Sequence, residues 1–167
     1  MLMSESLAIE RMLRQAMIDR YGEADLGSHF RAFDTICSAT QERQDAVVSL
    51  LDGTPLDLMI VVGGYNSSNT CNLARICAGR VCTFHIAGSA CLVSPTVVRH
   101  RPIGPPSTAG PEELTSTGWL PAEGPLVVGL TAGASTPNNI VGEVMSRLAE
   151  FGGEGLVEPG TPPPASR

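Results

Sequence analysis

Two stretches of the sequence concentrate small polar side chains around glycines: residues 63–70 (GGYNSSNT) and residues 131–139 (TAGASTPNN). Hydroxyl and amide groups donate hydrogen bonds without net charge, and glycine lets the backbone come close to an oxyanion. A helix that starts at such a stretch adds unpaired N–H groups and the positive end of its dipole. Two stretches of this kind that faced each other would form a cage for one small anionic molecule with two phosphate groups.

The same residue types also have an ordinary structural use, because Ser, Thr and Asn cap helices. For either stretch taken alone, capping is the stronger interpretation. The first stretch has more polar residues than one cap requires, however, and its pattern recurs in the second. The recurrence favours anion binding, with donors from Ser67, Ser68, Asn69 and Ser135.

The five cysteines lie at positions 37, 71, 77, 82 and 91, and no two of them have the C-x2-C spacing of a zinc site. Cys37 stands where a predicted strand ends and a predicted helix begins, a place where the helix dipole stabilises a thiolate. It is a nucleophile, a metal ligand or a packed thiol, and its position does not choose among them. Cys71 and Cys77 on a helix, and Cys82 in a strand, are expected to be small apolar fillers. We see no Ser–His–Asp triad, and His85 is expected to be a strand residue.

The elements that must position these groups follow from the spacing of apolar residues. A helix is predicted over residues 4–21, ended by Gly22, and a polar connection over residues 22–32. Three strand–helix units come next: a strand at 33–37 with a helix at 41–51, capped by Ser38 and Gln41; a strand at 56–62 with a helix ended by Gly79; and a strand at 126–130 with a helix from Pro137. A further strand is predicted at 81–86. Residues 91–118 have no clear period and are predicted to be a surface excursion.

Alternating strands and helices predict an α/β fold, with a parallel sheet flanked by helices. Ligands of such sheets bind beyond the carboxyl ends of the strands. The turns after residues 37, 62 and 130 all lie at that edge, so we expect them to converge.

Composition narrows the classes of partner. The net charge is −6 and the sequence has no dense Lys/Arg cluster, so nucleic acid is not expected. No apolar run approaches the roughly 20 residues that span a bilayer, and the first fifteen residues do not resemble a signal or transit segment. We therefore expect no membrane partner and a cytoplasmic location.

Four segments occur in a recognisable order: residues 33–47 (FDTICSATQERQDAV), residues 57–70 (DLMIVVGGYNSSNT), the pair Trp119 and Leu120, and residues 129–141 (GLTAGASTPNNIV). Together they resemble 4-hydroxy-3-methylbut-2-enyl diphosphate reductase, the iron–sulfur enzyme that ends the non-mevalonate route to isoprenoid precursors. The sequence of residues 40–44 (TQERQ) and the long first helix resemble the plant and cyanobacterial branch of this family.

The resemblance implies three similar α/β units around a [4Fe-4S] cluster held by three cysteines, of which Cys37 matches the last. It implies that Ser67, Ser68, Asn69 and Ser135 bind the diphosphate of an allylic substrate. That substrate, (E)-4-hydroxy-3-methylbut-2-enyl diphosphate, is reduced to isopentenyl and dimethylallyl diphosphates, with ferredoxin or flavodoxin as electron donor. These four residues are the ones already selected as donors from the two glycine-rich stretches.

The resemblance covers roughly the C-terminal half of the family pattern. The other two cluster cysteines, the histidines near the diphosphate and the catalytic glutamate have no counterpart, so no catalytic residue is assigned and the chain alone is expected to be inactive. The implied organisation is a remnant of a preceding unit at 1–32, a complete unit at 33–151 and a disordered tail at 152–167. A separately encoded N-terminal half would then be a partner. The alternatives are a non-catalytic diphosphate-binding module and an inactive remnant.

Overall fold

A computed structural model describes residues 3–33, 38–104, 113–121 and 124–152. Its chain divides into two compact units, Met1–Ser49 and Leu50–Arg167. The predicted strand at 33–37 and the predicted tail at 152–167 fall almost entirely outside the described residues. The predicted organisation into 1–32, 33–151 and 152–167 stays a prediction.

The first unit is helical. Helix α1 (Met3–Tyr21) matches the predicted helix, and Gly22 ends it with a φ of +82° that favours glycine. Helix α2 (Leu26–His29) lies within the stretch predicted to be a polar connection, which is a correction. Leu26 is buried, and the ring of His29 stacks on that of Tyr21 with centroids 4.0 Å apart. One buried leucine in an otherwise polar stretch is too little to predict a four-residue helix.

Helix α3 (Ser38–Gly53) begins three residues earlier than the prediction. The predicted capping box does not match the helix start, because Ser38 lies inside the helix; the side-chain amide of Gln41 donates to Oδ1 of Asp45 at 2.9 Å. This pair is one helical turn apart, a spacing at which side chains on a helix meet.

The second unit contains a parallel sheet of strands β1 (Leu58–Val62), β2 (Cys82–Ile86) and, last in the chain, β6 (Val128–Ala132), in the order β2–β1–β6. All five residues of β1 are buried, as expected for a central strand whose two faces are both covered. The pairing register places Val62 beside Ile86 on one side and Ala132 on the other. The predicted fold class, a parallel sheet flanked by helices, is confirmed.

Two helices follow β1 and β6 directly: α4 (Ser68–Ala78) and α5 (Asn138–Gly152). In α5, Val144 is fully buried against the core, and the other predicted stripe residues are partly buried beside it: Ile140, Val141 and Leu148. In the described residues, no helix has the length and apolar character to cross a membrane.

The stretch at 91–118 is not a structureless excursion, which corrects the prediction. A short 3-10 helix (Ser89–Cys91) leads into the stretch, which contains an antiparallel sheet of strands β3 (Leu92–Ser94), β4 (Val97–His100) and β5 (Leu114–Thr117). Leu92 and Val98 are buried in the core, and the indole N–H of Trp119 donates to the carbonyl of Ser94 at 3.0 Å. Strands of three or four residues are too short to show an alternation in the sequence.

Candidate anion-binding site

The two glycine-rich turns lie side by side at the carboxyl edge of the sheet. They follow β1 and β6, which are hydrogen-bonded parallel neighbours that end in register at Val62 and Ala132. The N–H of Gly133 and the hydroxyl of Thr136 both donate to the carbonyl of Val62, at 2.9 and 3.2 Å. The predicted convergence is confirmed for these two turns. The third turn contains Cys37, which lies outside the described residues.

Two threonine side chains fill the space between the turns. A Cβ added to Gly63 would lie 2.6 Å from Oγ1 of Thr136 and 3.0 Å from Oγ1 of Thr70, and one added to Gly133 would overlap Oγ1 of Thr70. Gly63 also has a φ of +148°, which L side chains rarely adopt. Both glycines are therefore required by the close approach of the two turns.

The N-termini of two helices point at this edge. Ser67 is the N-cap of α4, and its hydroxyl oxygen accepts from the N–H of Thr70 at 3.3 Å. Capping uses only the oxygen, so the hydroxyl proton of Ser67 is still available for donation. Helix α5 starts at Asn138, after Pro137, so proline precedes the first helical residue and does not occupy it as predicted.

The four predicted donors share this edge. Ser68 and Ser135 are exposed, and Ser67 and Asn69 are half-buried. Three of them lie at the start of α4, while Ser135 lies in the second turn, between Gly133 and the start of α5. Neutral donors and two aligned helix dipoles make this a suitable environment for an anion. Anion binding by these residues stays a prediction.

The hydroxyl of Thr70 is buried between the turns. Thr70 is fully buried, and within the described residues its Oγ1 has no hydrogen-bond partner. A buried polar atom without a partner costs about 1–3 kcal/mol of stability. Apolar packing alone therefore does not explain why a threonine occupies position 70, at the junction of the two turns.

His85 forms a hydrogen bond with the first glycine-rich turn. It is 1% exposed in strand β2, and its Nε2 lies 3.1 Å from the carbonyl oxygen of Gly63. Burial lowers the pKa of His85; the hydrogen bond to Gly63 opposes this shift, and the nearby positive charge of Arg101 adds to it. The ring is therefore neutral, and its Nε2–H donates to Gly63. The prediction that His85 is a strand residue is confirmed, but its link to the turn was not predicted.

The lowered pKa gives a stability prediction. The unfolded chain binds the His85 proton more readily than the folded chain, so the free energy of unfolding should fall as pH drops from about 7 to about 5, through the unfolded pKa of about 6.5. His85→Gln keeps an N–H donor near the same position and does not titrate. Urea titrations over this range should show a flatter pH dependence for the variant, and equal slopes would contradict the assignment.

A polar cluster fixes Tyr65, in the first turn. The phenol donates to Oε1 of Glu113 at 2.7 Å, and Nη1 of Arg99 lies 3.3 Å from Oε2 of the same carboxylate. Burial, followed by the hydrogen bond to Glu113, raises the pKa of Tyr65, so the phenol stays protonated. The guanidinium of Arg101 donates to the backbone carbonyl of Tyr65. The antiparallel sheet is thereby tied to the turn that precedes Ser67.

The described cysteines do not form a metal centre. Cys77 is buried in α4, and burial raises its pKa to about 11; Cys91 is buried, and its thiol lies 3.7 Å from Glu113. Cys71 donates to the carbonyl of Tyr65 at 3.2 Å, whereas Cys82 is exposed and so is not the filler that was predicted. No group of three or more His, Cys, Asp or Glu side chains within the described residues could hold a metal ion.

Sequence reasoning missed four residues that shape this edge: Tyr65, Thr70, Arg101 and Thr136. Tyr65, Thr70 and Thr136 lie inside the two glycine-rich stretches but are not among the predicted donors. Arg101 comes from the stretch predicted to be a surface excursion. The sequence alone does not show that Arg101 lies beside the proposed anion site. Its position there follows only from the pairing of its strand.

Comparison with known proteins identifies relatives. The family described as LytB protein matches residues 2–149. A 4-hydroxy-3-methylbut-2-enyl diphosphate reductase of Gloeobacter violaceus is 46% identical over 156 residues, which is 93% of this chain and 36% of the relative. A Synechococcus protein of the same name is 46% identical over 149 residues, covering 89% and 35%. The chain thus spans about a third of the length of these curated relatives, less than the half expected.

A solved structure is also similar: that of (E)-4-hydroxy-3-methyl-but-2-enyl diphosphate reductase, the terminal enzyme of the non-mevalonate pathway. It is 28% identical, and the superposition has a TM-score of 0.47. The match covers 80% of this chain and 40% of that chain.

Proposed function

Since the chain belongs to the LytB protein family, we propose that it supplies the diphosphate-binding turns of a 4-hydroxy-3-methylbut-2-enyl diphosphate reductase. The proposed activity is the reduction of (E)-4-hydroxy-3-methylbut-2-enyl diphosphate to isopentenyl and dimethylallyl diphosphates. The relatives that carry this name are 46% identical to the chain. Their additional length leaves room for the cluster ligands and proton donor that the chain lacks, so the isolated chain is proposed to be inactive.

The observation that carries the proposal is the adjacency of the two turns. The carbonyl of Val62 accepts from Gly133 and Thr136, which joins the end of the first strand to the second turn. Donors that are far apart in the sequence, Ser68 and Ser135, are thereby brought to one edge of one sheet. A diphosphate has two phosphoryl groups and needs two sets of donors.

The residues of this chain bind and orient the substrate in this proposal. Ser67, Ser68 and Asn69 donate to one phosphoryl group at the start of α4, and Ser135 donates to the other. Holding the charged end in this way fixes the position of the allylic end, where the reaction takes place. His85 contributes indirectly, because its hydrogen bond to the carbonyl of Gly63 positions the first turn.

The [4Fe-4S] cluster is part of the proposal only through Cys37. The described cysteines do not fit a cubane cluster, because Cys77 and Cys91 are buried in other contacts and no metal-binding group of three is present in the described ranges. We assign no reaction step to a cluster on this chain. Ferredoxin or flavodoxin as electron donor, a separately encoded N-terminal half and a cytoplasmic location likewise remain proposals.

Two measurements on the isolated chain test the function. Calorimetry should detect saturable binding of inorganic pyrophosphate, and the chain reconstituted with iron and sulfide without oxygen should not reduce the substrate. Turnover by the chain alone would contradict the proposal that this chain only binds the substrate. Absence of pyrophosphate binding would contradict the binding site itself.

A further inference from the structure

The antiparallel sheet brings a cation to the carboxyl edge of the parallel sheet. Arg101 follows β4 and forms an antiparallel bridge with His85, in which its backbone N–H donates to the carbonyl of His85 at 2.8 Å. His85 is one residue before the end of β2, and β2 ends in register with β1. Arg101 therefore lies at the same edge as the two glycine-rich turns.

The guanidinium of Arg101 contacts a backbone carbonyl and an aromatic ring, whereas Arg75 of the same unit donates to the carbonyl of Gly104 at 3.2 Å. The Arg101 guanidinium donates to the backbone carbonyl of Tyr65, and its Cζ lies 6.0 Å from the centre of the Tyr65 ring. Three other arginines of the second unit pair with carboxylates: Arg80 with Asp52, Arg99 with Glu113, and Arg147 with Glu150. Arg101 has no carboxylate partner in the described part of the chain. A guanidinium has five N–H donors, so one carbonyl leaves most of them unused.

The anion site itself lacks charge. Neither glycine-rich stretch contains a Lys or Arg, and the net charge of the chain is −6. A diphosphate is strongly negative, and the field of the whole protein opposes its approach. Charge-assisted bonds from Arg to phosphate are shorter and stronger than those from neutral donors. A nearby guanidinium would supply the charge that the serine and asparagine donors cannot.

We propose that Arg101 is a further diphosphate-binding residue of this site and pairs with the phosphoryl group bound at the start of α4. The inference rests on the proposed function. Tyr65, whose carbonyl Arg101 contacts, is two positions before the N-cap Ser67, which corresponds to at most about 7 Å between their Cα atoms. An arginine side chain spans that gap. The hydrogen bond from the Tyr65 phenol to Glu113 fixes the first turn, and this turn positions the guanidinium of Arg101.

The rival interpretation is that Arg101 only ties the antiparallel sheet to the first turn. The two roles differ in their response to salt, because ionic screening weakens charge pairing with a mobile anion but leaves a hydrogen bond to a backbone carbonyl nearly unchanged. Arg80→Gln is a matched control. It removes the same charge from the chain, but from an exposed arginine that contacts Asp52 and not the turn.

The experiment measures pyrophosphate binding to the full chain by calorimetry, at low and at high salt. Arg101→Gln should weaken binding about tenfold and flatten the salt dependence, while Arg80→Gln should change neither. Arg101→Lys should retain the salt dependence with weaker binding, because it keeps the charge and loses the fork geometry. Thermal melts check that each variant is folded.

Three results would overturn the inference. If Arg101→Gln and Arg101→Lys bind pyrophosphate as the unmodified chain does, with the same salt dependence, Arg101 does not pair with the anion, while the proposed function stands. If Arg101→Gln lowers the melting temperature but not the affinity, the tie to the antiparallel sheet is its only role. If the unmodified chain does not bind pyrophosphate, the proposed binding site and this inference both fail.

Discussion

The double variant Ser68→Ala/Ser135→Ala is expected to abolish measurable pyrophosphate binding by the chain. A hydrogen bond to a charged group contributes about 1.5–3 kcal/mol, so removing one from each turn should lower the affinity by at least about a hundredfold. Both side chains are exposed, so the fold should tolerate their truncation. Calorimetry of the two single variants and the double variant gives the contribution of each turn.

A matched control for this pair is Ser146→Ala, which removes an exposed hydroxyl from the body of α5, away from the turns. It should leave the affinity unchanged. If Ser135→Ala also left the affinity unchanged, the second turn would not contact the ligand and the two-turn cage would be wrong, whatever the effect of Ser68→Ala.

Gly133→Ala is expected to destabilise the second unit by about 2–3 kcal/mol, because overpacking a closed interior forces neighbouring atoms to move. Its new Cβ would overlap Oγ1 of Thr70, which is fully buried and has no room to retreat. The measurement is the urea midpoint at constant slope, which reports a change in stability alone. Adding Thr70→Ala, which removes the overlapping oxygen, should make the double variant more stable than the sum of the two single effects predicts.

Gly142→Ala is the control for this substitution. Gly142 lies in α5 with nothing within 4 Å of its added Cβ. Alanine there should stabilise the chain by about 1 kcal/mol, through helix propensity. Equal destabilisation by both substitutions would show that the effect at Gly133 is not the overlap with Thr70.

The parallel sheet and the pairing of its turns could be predicted from local patterns. Residues 58–62 are continuously apolar, and the two polar stretches directly follow strands, so the general rule for ligand sites in such sheets was sufficient to place Ser68 and Ser135 at one edge. The resemblance to a family named the same donors independently.

What the sequence could not reveal depends on pairings between distant segments. The strands at 92–94 and 97–100 are too short to show a period, so nothing local indicated that Arg101 would bridge to His85. The unpaired hydroxyl of Thr70 is equally invisible, because threonine at a helix start is ordinary. The capping box was misplaced for a local reason: the helix already includes Ser38, and local patterns fix a helix start only to within a few residues.

The pairing of β1 with β6 also has a consequence for the order of assembly. The backbone N–H of Val127 donates to the side chain of Asp57, 70 positions earlier in the chain, at 2.8 Å. Closing so long a loop costs entropy before any contact repays it, and long-range parallel pairing is slow for that reason. We therefore expect the two turns of the proposed cage to come together late in folding, after β1 and β2 have paired. A chain caught before that step would have secondary structure, but its two glycine-rich turns would not yet be adjacent.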